Sequence, residues 1–132
     1  MSRKLEQVEH LRNVGKSEEA LNIIKDLEKK TDLADDELLS IQLLKSNLLL
    51  DLRHLNEAKD LAETILVQSK KLRSYDKSIA ALNIIAWVYR RLGKLEESSD
   101  IIEIAEDLIK THFPRPSKEI QKKHATFFLI KG

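Results

Sequence analysis

The chain has 132 residues, 42% of them apolar and 34% charged, enough to bury one core and too few for two, so disorder is excluded and one domain over 1–132 is expected. Its 23 basic and 22 acidic residues cancel to a formal charge of +1, which excludes a global field of the kind that draws in nucleic acid or an anionic membrane. Zero cysteines remove disulfides, thiolate ligands and thiol nucleophiles together.

Only two prolines and three glycines interrupt a chain dominated by Leu, Ile, Ala, Lys and Glu, so helix is favoured almost everywhere and the expected class is all-α. The start, Met1-Ser2-Arg3-Lys4-Leu5-Glu6, puts no apolar stretch behind its basic residues, and no run approaches the roughly 20 residues of a membrane span. A cytoplasmic protein with no membrane partner is expected. In chain order the predicted helices are 2–14, 16–30, 34–52, 55–72, 75–92, 94–111 and 118–131, from apolar spacing and end signals. Gly15 and Gly93 suit the left-handed residue that ends a helix, and the acidic pairs Glu18-Glu19 and Glu96-Glu97 fall in the first turn of the helix that follows, where the macrodipole favours negative charge. Asp32 and Asp35 stand before the third helix as candidate caps, Ser74 before the fifth, and Pro116-Ser117 before the last. The one clear loop is Thr111-His112-Phe113-Pro114-Arg115-Pro116, because proline excludes helix at the residue before it.

These helices repeat. The phrase Gly15-Lys16-Ser17-Glu18-Glu19-Ala20 returns as Gly93-Lys94-Leu95-Glu96-Glu97-Ser98, and more loosely as Arg53-His54-Leu55-Asn56-Glu57-Ala58, at separations of 38 and 40 residues. Around the phrase, Ala86, Tyr89, Gly93, Ser98, Ile102 and Ala105 are spaced by 3, 4, 5, 4 and 3. Ser46, Leu49, Arg53, Ala58, Ala62 and Ile65 keep those steps, as do Val8, Leu11, Gly15, Ala20, Ile24 and Leu27. Ala125, Phe128 and Gly132 begin a further copy. Steps of 3 and 4 hold residues on one helix face, and the step of 5 marks the change of direction, so each copy is a helical hairpin. A period between about 20 and 50 residues signals stacked units.

The pattern resembles the tetratricopeptide repeat family, most closely from Leu82 to Gly93 with Leu95, Ser98, Ile102 and Ala105 following. It departs from that family in its period of 38 to 40 residues, in the lack of a closing proline in the first two copies, and in Arg53 at the turn glycine. The resemblance implies a right-handed superhelical stack of about three antiparallel hairpins plus a C-terminal helix, with the extra residues lengthening the helices. It also implies a concave groove lined by the first helix of each hairpin. Carried over, the groove-facing candidates are Leu5, Glu9, Arg12 and Asn13, then Leu43, Asn47, Leu50 and Asp51, then Asn83, Trp87, Arg90 and Arg91. The residues expected to bind are Asn47, Leu50, Asn83, Trp87, Arg90 and Arg91. A side-chain amide can both donate to and accept from a peptide backbone, and a large aromatic is a frequent anchor. Core packing is the other reading of Trp87, and dipole complementation at a helix end is the simpler reading of Arg91. One subgroup of the family grips peptide C-termini with a clamp of Lys, Asn and Arg; here Leu5, Glu9, Leu44, Ala80 and Ile84 occupy those places, so that ligand is not implied.

Nothing marks a reaction. His10, His54, His112 and His124 include no pair at the four-residue spacing that brings two imidazoles to one metal. Asp35-Asp36-Glu37 points around a helix, and a helix start explains it more simply than a bound cation. No phosphate loop, nucleophile elbow or dinucleotide fingerprint is present. The expectation is a non-enzyme without metal or cofactor, a scaffold-type module that binds a peptide or helix of another protein. The alternative is a structural or self-assembling unit, a homodimer through the last helix, whose Phe127, Phe128, Leu129 and Ile130 lack a following helix to cover them. Nucleic-acid binding through Arg90, Arg91, Lys122 and Lys123 is the weakest reading, since the overall charge is balanced.

Overall fold

The computed structural model describes residues 2–30 and 32–113; the predicted helix at 118–131, with its cap and its four clustered apolar residues, lies outside them. The described residues form six helices and no strand: α1 Ser2–Asn13, α2 Ser17–Glu28, α3 Asp35–Asp51, α4 Leu55–Lys71, α5 Tyr75–Arg91 and α6 Leu95–His112. Each packs on the next, and α3 also lies against α5. The result is three helical hairpins stacked in chain order, as the repeat spacing requires.

Four of the five turns are built in one way. Gly15, Arg53, Arg73 and Gly93 all have positive φ, at 82°, 68°, 57° and 78°. In each turn the N–H of the residue just after donates to the carbonyl five positions back: Lys16 to Leu11 at 2.7 Å, His54 to Leu49 at 2.9 Å, Ser74 to Ser69 at 2.8 Å and Lys94 to Tyr89 at 2.8 Å. The left-handed residue itself donates to the carbonyl three back, completing a Schellman motif that satisfies the helix's last carbonyls. Arg53 thus adopts the glycine-like geometry although it lacks glycine's freedom. A Cβ placed on Gly93 would meet no atom within 4 Å, so the cost of Gly93→Ala is conformational alone, about 1–2 kcal/mol. The reverse change, Arg53→Gly, relieves that strain against the added flexibility of the unfolded chain. It is expected to stabilise by about 0.5–1 kcal/mol. Opposite shifts of the urea midpoint for the two variants check the assignment.

The same geometry overturns the predicted caps. No described helix start with an assigned cap residue receives a side-chain hydrogen bond. Ser74 does occupy the cap position of α5, but at φ −90° and ψ 70° it departs from the extended backbone that aims a cap hydroxyl at the helix; its carbonyl serves instead, accepting from Lys77 and Ser78 N–H. In these tight turns one residue both closes a Schellman motif and opens the next helix. The exception is α3, which follows an extended Ala34, a residue whose carbonyl accepts from Leu38 N–H but whose side chain has no acceptor to offer; Asp35 is already its first helical residue.

Inside the hairpins the expected close contacts are present. Ser46 Oγ donates to the Ala58 carbonyl at 2.8 Å, and Ser98 Oγ donates to the Ala86 carbonyl at 2.9 Å. These are equivalent places with the serine on opposite helices. The first hairpin has Val8 and Ala20 there, both fully buried. At the far end of the third hairpin the Tyr75 and His112 rings stack at 3.6 Å, which confirms that α5 and α6 run antiparallel. Between hairpins, Ser69 and Ser78 meet at 2.7 Å, both buried. One core runs from Val8 to Val88 and a second joins Ile79, Leu82 and Ala86 to Ile102, Ala105 and Ile109; Leu66 and Ile101 pack against both and make the interior continuous. The long period lengthens only part of the stack. Helices α3 to α6 have 17 or 18 residues, but α1 and α2 have 12 each.

Candidate functional site

On α3, residues 40, 43, 44 and 47 return every three or four positions and so share one face, away from the fully buried Ile41 and Leu48. That face looks onto α1 and α5. Leu5, Glu9 and Arg12 of α1, Ser40, Leu43, Leu44 and Asn47 of α3, and Asp76, Lys77 and Ala80 of α5 bound an open groove of about 330 Å³. Leu5, Leu43 and Leu44 are half-buried and rest on the main core, so the groove has an apolar floor fixed from beneath.

Its two cations are paired with carboxylates at or beyond its edge. Arg12 grips Asp51 through Nε at 2.6 Å and Nη2 at 3.4 Å, linking α1 to α3. Lys77 Nζ lies 2.8 Å from Asp36 and 3.9 Å from Asp76, and only 14% of its side chain is exposed. These pairs are at the surface, where an ion pair contributes about 0–1 kcal/mol; their larger effect is to hold α1 to α3 and α3 to α5 at the groove walls. Away from the groove, on α4, Lys59 bonds Glu63 at 2.6 Å and lies 5.8 Å from the Tyr89 ring centre. The hydrogen bond to Glu63 raises its pKa above the ordinary lysine value, with partial burial opposing.

The predicted binding residues separate into two groups. Asn47 lines the groove, with Leu5, Glu9, Arg12 and Leu43. Leu50 is half-buried and packed against the main core, and Trp87 is half-buried and packed against the second core cluster. Core packing is therefore at least part of what Trp87 does. Asn83 is half-buried, and its Oδ1 is buried without a hydrogen-bond partner. Arg90 and Arg91 are exposed near the end of α5, Arg90 already engaged in an interaction. Of the residues at the clamp places, Leu5, Glu9, Leu44 and Ala80 line the groove, whereas Ile84 is buried in the core. Ser40, Asp76 and Lys77 were not foreseen as groove residues. Extending the alignment of the copies one turn back towards the start of each first helix would have reached them.

No protein-family model matches the chain, and no curated protein matches it. Among solved structures, it is similar to a crystal structure of nearly identical TPR-like repeats from Podosopora anserina assigned to a kinesin light chain, with a TM-score of 0.73 and 18% identity. The match covers 99% of this chain and 66% of that one. The fold is that of tetratricopeptide-like repeats. The α1, α3 and α5 helices are then the first helices of three such repeats, and the groove lies between them. Among the described residues no helix is long and apolar enough to cross a membrane, and no three His, Asp or Glu side chains converge as metal ligands would.

Proposed function

We propose that this chain is a protein-interaction module, cytoplasmic and without covalent turnover, that holds a peptide or helix of a partner protein in the groove between α1, α3 and α5. The supporting observation is the groove itself: an apolar floor of Leu5, Leu43, Leu44 and Ala80, walled by the Asn47 amide and by charged groups. Apolar side chains set among polar and charged ones are the usual chemistry of a protein-recognition surface. By helical spacing, Asn83, Trp87, Arg90 and Arg91 continue the Ala80 face towards the C-terminal end of α5, and so extend the surface a longer segment would cover.

Affinity capture with the intact chain, followed by titration of the recovered partner against variants, tests the proposal. Leu43→Arg puts a charge on the apolar floor and is expected to weaken binding at least tenfold, about 1.4 kcal/mol or more. Glu103→Ala, on the exposed side of α6, should leave affinity unchanged. Trp87→Ala should lower both affinity and stability, because this side chain also packs on the second core cluster; its binding loss is to be read at a denaturant-free temperature where the variant is folded. Full affinity of a folded Leu43→Arg variant would refute the groove.

A further inference from the structure

The two cations that line the groove, Arg12 and Lys77, are each already paired with a carboxylate outside its lining. Arg12 is held by Asp51 at 2.6 Å and Lys77 by Asp36 at 2.8 Å. Glu9 stands exposed on the α1 wall, and no described cation or donor reaches it. The lining itself holds two carboxylates, Glu9 and Asp76, and two cations, Arg12 and Lys77, but both cations also pair with Asp51 and Asp36 beyond it, which leaves the set of charges around the groove acidic. An acidic ligand would therefore have to draw Arg12 from Asp51 or Lys77 from Asp36, and each move leaves a carboxylate behind. A basic side chain faces no such cost, and complementary charge selects partners and speeds their encounter.

Resting on the binding role proposed above, we infer that the groove selects an amphipathic partner segment whose apolar side chains seat on Leu5, Leu43, Leu44 and Ala80, and whose lysine or arginine pairs with Glu9. The four apolar residues and Glu9 line the same cavity of about 330 Å³, so both contacts come from one short segment. The pairing is solvent-exposed, so its contribution is screened by salt. The apolar contribution is not.

A displayed library of random 16-residue peptides, selected against the intact protein, tests the inference. Recovered segments are expected to carry Lys or Arg next to Leu, Ile or Phe. The tightest of them, made as a free peptide, should lose roughly fivefold or more in affinity for Glu9→Lys at low salt, and that loss should shrink in about 0.5 M salt. Recovery of Asp- and Glu-rich segments, no enrichment at all, or equal affinity for Glu9→Lys would overturn it. The Leu43→Arg variant separates the two levels. A peptide that loses affinity for Leu43→Arg but ignores Glu9→Lys refutes the charge selection alone; one that binds Leu43→Arg undiminished refutes the groove as well.

Discussion

Leu48→Ala is expected to lower the unfolding free energy by about 2–5 kcal/mol, the cost of removing buried methyl groups together with the cavity left behind. Leu48 is fully buried near the end of α3, and α3 meets three other helices, α2, α4 and α5. A gap there cannot close by shifting one neighbour without opening a contact with another, which places the loss towards the upper end of that range. Against a total stability of about 5–15 kcal/mol for a domain of this size, such a variant loses a large part of its margin. Urea unfolding followed by circular dichroism measures it, and the midpoint should fall with little change in slope. Leu95→Ala is the control: this leucine is 59% exposed at the start of α6, so its truncation should stay within about 0.5 kcal/mol. Equal losses at the two leucines would mean that the α3 interior is not packed as described.

Enlarging a small residue inside a hairpin should be nearly as damaging. Ala58 is fully buried, and its carbonyl accepts the Ser46 hydroxyl at 2.8 Å. That hydrogen bond requires α3 and α4 to approach within the reach of a serine side chain. Ala58→Leu forces the helices apart or the leucine off its rotamer, at about 1–3 kcal/mol. It should also break the Ser46 bond, so the double variant with Ser46→Ala should lose less than the sum of the two single losses. Ser46→Ala alone should cost about 0.5–1.5 kcal/mol, since the Ala58 carbonyl lies inside α4 and keeps its place in the helix ladder. Additive losses in the double variant would show that the two residues do not share one contact.

What the chain spells out locally was legible without coordinates. Spacing along one helix dictates which residues share a face, so the steps around Ala86, Gly93 and Ser98 identified the hairpins, their close contacts and the equivalence of the copies. The six helices in the described residues fall within a few residues of their predicted limits. Turns were legible where glycine marked them. They were less so at Arg53 and Arg73, whose positive φ comes from the demand of the Schellman bonds rather than from any preference of arginine. The Ser74 cap was misjudged for the same reason, because a turn shared by two helices leaves the cap residue's backbone too bent for its side chain to act. The groove was half legible. Leu5, Glu9, Arg12, Leu43 and Asn47 followed from the family resemblance, but the pairing of Lys77 with Asp36, 41 positions apart, depends on how far one hairpin slides along the next. Sequence periodicity sets the face of each helix and is silent about that stagger. The tertiary structure decided it, and with it which charges meet across the groove and that Trp87 packs against the second core.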